Sequence, residues 1–388
     1  PTGFLLSTYG YGVRSGATEA GYLFAWSEAD QVRSQRLDDG ALGAARDIGS
    51  RGTTHFSPAA AERDGETAVA FVHRRYLHAG YEPDRVAHLR VVGFDTDGST
   101  LPQAAATDVA QLEDWSQITP TLAAGTSTWL IGYTDQSEPT ALLTALVGPD
   151  HSISPGPVLS YPDAAVEEYD IAFGAGRYVA AMQVRPDGCG WGDCSANVLA
   201  IEAFDESGAS VFSSSQATYG AEYGSPQIAA VGDHFVVSWT DGVLDQGDIR
   251  AVVVGPDGER SETLDVHLGP NTQYATDAAA IGDRALVAWS DYENAAISTA
   301  HVAYVALDGS VEGPIRVSYD NDSAVPRIVD PRDGHNLLVV WHGGSFSLSS
   351  HLYGNWLNAD GDLVDGLPTL LAIAEEGGEV ALTPGPEG

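Results

Sequence analysis

The apolar residues of this chain gather in short runs that end in a recurring way: an apolar strand, an aromatic residue, a small polar residue and an acid. Leu23-Phe24-Ala25-Trp26-Ser27-Glu28, Val236-Val237-Ser238-Trp239-Thr240-Asp241 and Leu286-Val287-Ala288-Trp289-Ser290-Asp291 are the clearest copies, and weaker ones end at Val72, Tyr133, Gln183 and Trp341. Downstream of each lies a short turn: Asp39-Gly40, Asp97-Gly98, Asp150-His151, Ser207-Gly208, Asp257-Gly258, Asp308-Gly309 and Asp360-Gly361, spaced 50 to 58 residues apart. A repeat of this period belongs to propellers or related arrays, and both landmarks count to seven. The pattern therefore predicts an all-β chain, a seven-bladed β-propeller of four-stranded antiparallel blades, occupying residues 1–388 as one domain.

Within a repeat four strands are expected, A to D from the axis outward. Ser225-Pro226-Gln227-Ile228-Ala229-Ala230 reads as a strand A, the aromatic marks strand B, the Asp-Gly turn joins C to D, and Pro314-Ile315-Arg316-Val317-Ser318 reads as a strand D. Asp-Gly between strands points to a type I′ hairpin with positive φ at both central residues. Trp26, Trp239, Trp289 and Trp341 are expected in the core, filling the wedge between blades. Phe4-Leu5-Leu6-Ser7 and Glu379-Val380-Ala381-Leu382 are strand-like surplus at the two ends, and the propeller is expected to be closed by pairing of the chain termini, one or both segments completing a blade and so removing a sheet edge.

The strand ending in Trp, a small residue and an acid, alternating with a strand, Asp-Gly, strand hairpin, resembles the degenerate seven-bladed propellers of secreted bacterial repeat proteins. The resemblance covers essentially the whole chain and is architectural, and propellers host unrelated functions. The chain lacks the Ser-x-Asp-x-Gly-x-Thr-Trp box of sialidase-like propellers, and its Trp-Ser-Asp has no Gly-His partner of the WD-repeat kind.

Charge narrows the function. Asp and Glu number 54 against 18 Lys and Arg, a formal net charge of -36, and every base is Arg. The absence of lysine excludes Schiff-base chemistry from the chain, and so acidic a surface repels nucleic-acid phosphates and anionic membranes. No apolar window approaches a bilayer span. The two cysteines, Cys189 and Cys194, flank a short Gly-rich loop, with no further Cys and no nearby His to complete a zinc site. A disulfide is expected, which places the protein in an oxidising, extracellular or periplasmic compartment. The chain opens at Pro1 without a recognisable leader, consistent with a processed form.

Loops from D to the next A and from B to C share one face of a propeller, where ligands generally bind. The predicted site residues there are Trp115, Tyr169, Asp170, Trp191, Tyr223, Tyr274 and Asp291, with Trp191 carried on the tip of the Cys189–Cys194 ring. Planar aromatics among carboxylates suit a sugar ring or a cationic ligand. The expected function is a secreted binding module for a carbohydrate or another extracellular ligand, an extracellular protein included. Two alternatives are a polysaccharide hydrolase or lyase using a carboxylate pair such as Asp170 and Asp291, and an acidic scaffold for a partner protein. Markers of serine hydrolases, zincins and nucleotide-binding loops are missing. No cofactor is firmly indicated. Calcium or another divalent cation is conceivable at Asp-rich turns such as Asn358-Ala359-Asp360-Gly361-Asp362, although these do not fit an EF-hand. His55, His73, His78 and His342 form a candidate histidine metal cluster.

Overall fold

The computed structural model describes residues 4–6, 10–18, 21–28, 31–38, 41–42, 46–48, 53–55, 59–63, 66–75, 86–94, 107–113, 120–135, 138–187, 197–218, 226–242, 247–294, 297–318, 323–329, 336–343, 349–358, 362–363, 369–375 and 380–382. Among these the regular structure is entirely β. Seven antiparallel sheets follow one another along the chain: sheet 1 (residues 10–47), sheet 2 (53–113), sheet 3 (121–160), sheet 4 (164–218), sheet 5 (227–267), sheet 6 (272–316) and sheet 7 (323–375). Each has four strand positions in sequential order, A to D. In sheets 1 and 3 position D, and in sheet 2 position A, is broken into two short strands. Such a meander is a propeller blade.

The chain divides into two compact units, residues 7–162 with 206–209, and residues 1–6 with 163–205 and 210–388. In the larger, the A strands of sheets 4 to 7 lie side by side in order. In the smaller, the A strands of sheets 1, 2 and 3 do the same, through Gly10–Thr18, Ala59–Arg63 and Thr121–Ala124.

The core is a series of layers between successive sheets rather than one central cluster. Strand alternation explains this, since every blade presents an apolar row on each face. One layer joins sheets 5 and 6 around Trp289, Val236 and Val287, and another joins sheets 6 and 7 around Trp341, Val302 and Leu357. Trp239, Trp289 and Trp341 are all buried, as the aromatic landmark predicts. Polar staples reinforce the layers. Asp277 on strand A of sheet 6 accepts the N–H of Ala278 through Oδ1 at 3.0 Å and that of Ile328 in sheet 7 through Oδ2 at 2.8 Å. In the smaller unit Glu206 Oε2 accepts the N–H and hydroxyl of Ser127 at 2.6 and 2.7 Å and the N–H of Thr128 at 3.1 Å. Burial pushes the Glu206 carboxyl up, but these donors outweigh it and hold the group below its usual range.

One expectation about turns is corrected. The C-to-D turns described at Asp150-His151, Asp257-Gly258 and Asp308-Gly309 are three-residue loops, not two-residue type I′ turns. In the last, Gly309 N–H donates to Ala306 O at 3.0 Å and Ala306 N–H to Ser310 O at 2.9 Å, and only Gly309 has positive φ, +85°. A type I turn followed by one left-handed residue satisfies the same strand twist. The Asp serves the loop itself: Asp308 Oδ1 accepts the hydroxyl and N–H of Ser310, which hold its carboxyl below the usual range. The two-residue hairpins occur instead between A and B, at Ala175-Gly176 with φ +48° and +73°, and at Gly232-Asp233 and Gly282-Asp283 with Gly first. At the chain ends, Phe4–Leu6 pairs antiparallel with Val380–Leu382 in a two-stranded sheet, so the two terminal segments pair with each other.

Candidate functional site

The most unusual chemistry among the described residues lies at one end of sheet 6. Strand A (Thr272–Ile281) and strand B (Arg284–Asn294) set Gln273 opposite Asp291, and strand C (Ile297–Ala306) sets Thr299 opposite Asp291, so the three form one row on one face. The next row on that face carries Trp289 and His301. This is the face turned to sheet 5, whose last strand (Leu264–His267) brings His267 against it.

The rings form a stack. His267 and His301 each lie nearly parallel to the Trp289 indole, with centroids 5.4 and 5.7 Å away, and their own centroids are 6.4 Å apart. His267 Nε2 stands 3.6 Å from Asp291 Oδ2, and Asn271 Nδ2 donates to Asp291 Oδ1 at 3.0 Å. Gly269 lets the groups converge, because a Cβ there would come within 2.7 Å of Gln273 Nε2 and 2.8 Å of His267 Nε2. Burial pushes His301 down to about 4, with His267 and Arg316 adding to the shift and Asp291 opposing it, so the ring is neutral at pH 7.

Polar satisfaction fails here in a concentrated way. Gln273 is fully buried, yet neither amide atom has a partner. His301 Nδ1 and Trp289 Nε1 also lack one. Leaving a buried polar group unmade costs roughly 1–3 kcal/mol, and Gln273 carries two such atoms on one side chain. At the same strand end, on the opposite face, Tyr274 and Tyr292 meet edge-on with ring centroids 5.2 Å apart. Burial pushes the Tyr292 phenol up, keeping it a hydroxyl.

Of the predicted site residues, Tyr274 and Asp291 come together in this region, on strand ends rather than in loops. Tyr169 and Asp170 lie within strand A of sheet 4 (Ala164–Gly174), and both Asp170 oxygens are engaged. Oδ1 accepts from Ile171 N–H at 2.9 Å and Oδ2 from Ile228 N–H at 3.0 Å. That is the staple geometry of Asp277, which makes Asp170 a blade-to-blade fastener. Trp115, Trp191, Tyr223 and the Cys189–Cys194 pair lie outside the described residues, as does His78. Sequence reasoning missed His267, Asn271 and His301. The signal for His301 was present, since it stands beside the Trp of the repeat where sheet 7 has Tyr353, but the pairing is visible only once register is known.

No family model and no curated protein sequence matches the chain. Solved structures do. One is a prolyl endopeptidase from a study of two such enzymes, at 14% identity and TM-score 0.55, covering 95% of this chain and 50% of that one. Another is the β-propeller domain of the Trilobed protease from Pyrococcus furiosus, at 10% identity and TM-score 0.48, covering 92% and 98%. A third is an α-L-arabinanase from Penicillium chrysogenum complexed with arabinobiose, at 10% identity and TM-score 0.45, covering 79% and 94%. This chain thus spans about half the length of the prolyl endopeptidase. At such identities the likeness speaks for the fold alone: the protein has a β-propeller architecture.

Proposed function

We propose that this chain is an extracytoplasmic binding propeller that recognises a carbohydrate or a similarly polyhydroxylated ligand at the end of sheet 6. The observation that carries the reading is Gln273, whose buried amide has both atoms unpartnered beside Asp291 and His267. A ligand rich in hydroxyls supplies donors and acceptors together, which is what an amide, a carboxylate and a neutral imidazole require. Tyr274 and Tyr292, at the same strand end on the other face of the sheet, supply aromatic rings to a ligand that extends round that end.

Affinity electrophoresis through gels containing a panel of polysaccharides tests this, followed by assay of the gel for new reducing ends. We expect retardation by at least one polysaccharide, lost in Gln273→Ala and weakened in Tyr274→Ala, with no new ends. Unchanged retardation in Gln273→Ala, or none by any polysaccharide, overturns the assignment. New ends that vanish in Asp291→Asn would replace binding by hydrolysis.

A further inference from the structure

An edge strand presents unpaired N–H and C=O groups, and proteins guard such edges with charge, proline or brevity. Among the described residues the outermost strands of six sheets follow that rule. Asp108 stands in Thr107–Glu113 of sheet 2, Pro155 in Ile153–Pro155 of sheet 3, Asp265 in Leu264–His267 of sheet 5, Pro314 in Val311–Arg316 of sheet 6 and Glu375 in Thr369–Glu375 of sheet 7, while sheet 1 ends in two-residue pieces. Sheet 4 departs from it. Its last strand, Ser210–Thr218, runs for 9 residues with neither a charge nor a proline. The gap stands out in a chain that carries 54 acids against 18 bases.

The geometry of the strand adds a second observation. Its inner side pairs in unbroken register from Phe212 to Thr218 with strand Asn197–Asp205, and a bulge at Ser210-Val211 twists the other end. No described strand pairs with its outer side. Ser213, Ser215 and Ala217 are exposed on one face, where Glu202 of the neighbouring strand accepts the Ser213 hydroxyl at 2.8 Å, one strand away from the edge. On the other face the strand rests on sheet 5. A Cβ on Gly258 would come within 2.7 Å of the Phe212 ring, and Gln216 Oε1 accepts from Arg260 Nη1 at 3.1 Å. The regular stretch is thus held in an extended form with one side open.

We infer that this edge is a self-association surface, on which the same strand of a second copy of the chain pairs antiparallel about a two-fold axis. Two arguments favour a second copy over a foreign segment. Copies of so acidic a protein repel one another, and an uncharged edge is where two backbones approach against the least repulsion. The strand is also self-complementary. With the axis at Ser215, the midpoint of the regular stretch, Phe212 faces Thr218 of the other copy, Ser213 faces Ala217, and Ser214 faces Gln216. The first is a favourable cross-strand pair of an aromatic and a β-branched residue, and the last can hydrogen-bond. Each of these pairs occurs twice, as an isologous contact requires. The regular stretch spans only about 24 Å, so the dimer belongs to the weak, transient class of interface.

Sedimentation velocity from about 2 to about 200 μM, the span in which a weak interface reports itself, tests the assignment at about 0.5 M salt, which screens the repulsion between copies. The wild type should pass from monomer to dimer as concentration rises. Ser215→Glu, at an exposed position, sets like charges opposite each other and should weaken association about 5-fold or more. Ser213→Lys and Ala217→Glu should each weaken it, whereas the two together set opposite charges across both symmetry-related pairs and should restore it. Unchanged melting temperatures at low concentration identify variants with an intact fold. A wild type that stays monomeric throughout overturns the proposal and leaves the edge to a segment of another protein. A dimer that Ser215→Glu leaves unaffected, or a double variant that associates no better than its single variants, overturns it as well.

Discussion

The layer between sheets 5 and 6 and the layer between sheets 6 and 7 are built on the same repeat and do different things. Each centres on the repeat's buried tryptophan, Trp289 in one and Trp341 in the other, with its strand-C partner stacked on it. In the second layer that partner is Tyr353, and the preceding blade contributes Val317, fully buried. In the first layer the partner is His301 and the preceding blade contributes His267, in the position Val317 occupies one blade later. Two substitutions within a repeat thus turn a seam of rings and aliphatics into a seam of rings and imidazoles. The first layer also carries Asp291 two residues after the tryptophan, where the second has Gly343. Each layer holds one buried amide without partners, Gln273 and Asn355, but Asn355 sits opposite Val339 in mid-strand whereas Gln273 sits opposite Asp291 at the strand end. The same scaffold therefore lines one seam with a tyrosine and aliphatics and the other with two imidazoles and an acid.

The largest effect separating the two layers should come from the tryptophans. Trp341→Ala should cost about 3–5 kcal/mol by urea unfolding, the cost of a large cavity in an apolar layer. Trp289→Ala should fall at the lower end of that range, because water can enter a cavity lined by His267 and Gln273; a larger loss at Trp289 than at Trp341 would contradict the contrast. Next is pH. His301 has a folded pKa of about 4 against 6.5 unfolded, so the stability it contributes is complete above pH 6.5 and is lost as the pH falls from 6.5 to 4. His301→Tyr, borrowing the residue of sheet 7, should remove this component. Comparison of urea midpoints at pH 7 and pH 4 should show the variant losing less than the wild type, by on the order of 3 kcal/mol; equal losses would mean that His301 does not titrate in this window. Asp277→Ala, which unfastens strand A of sheet 6 from that of sheet 7, should cost about 1–3 kcal/mol and leave ligand binding intact. The smallest effect on stability should be that of the amides: Gln273→Leu and Asn355→Leu should each change it by about 1 kcal/mol or less, since neither breaks a hydrogen bond. Only Gln273→Leu should abolish retardation by polysaccharide, and loss of binding in both variants would dissolve the distinction between the layers.

Much of the blade was legible before any coordinates. The Trp239, Trp289 and Trp341 strands were recognisable because a buried aromatic at a fixed place in each repeat leaves a periodic mark. The turn positions were legible for the same reason, but not their geometry: Asp257-Gly258 fits a two-residue and a three-residue loop equally well, and the hydrogen bonds to the residue after the Gly decide between them. Gly232-Asp233 and Gly282-Asp283 carried a hairpin signal that the stronger Asp-Gly repeat overshadowed. Asp170 looked like a ligand group because an acid near a loop face is ambiguous by sequence, whereas the N–H groups it satisfies belong to residues 1 and 58 positions away.

By itself, then, the sequence determined the all-β class, the four-stranded repeat, the buried tryptophans and the strongly acidic surface, because each follows from local alternation, periodicity or composition. Only the tertiary structure decided that Asp170 and Asp277 fasten neighbouring sheets and that His267 stacks on Trp289 across two sheets. Those facts depend on strand register and on which faces meet, and residues far apart in the chain become neighbours only when backbone hydrogen bonds and apolar layers fix both.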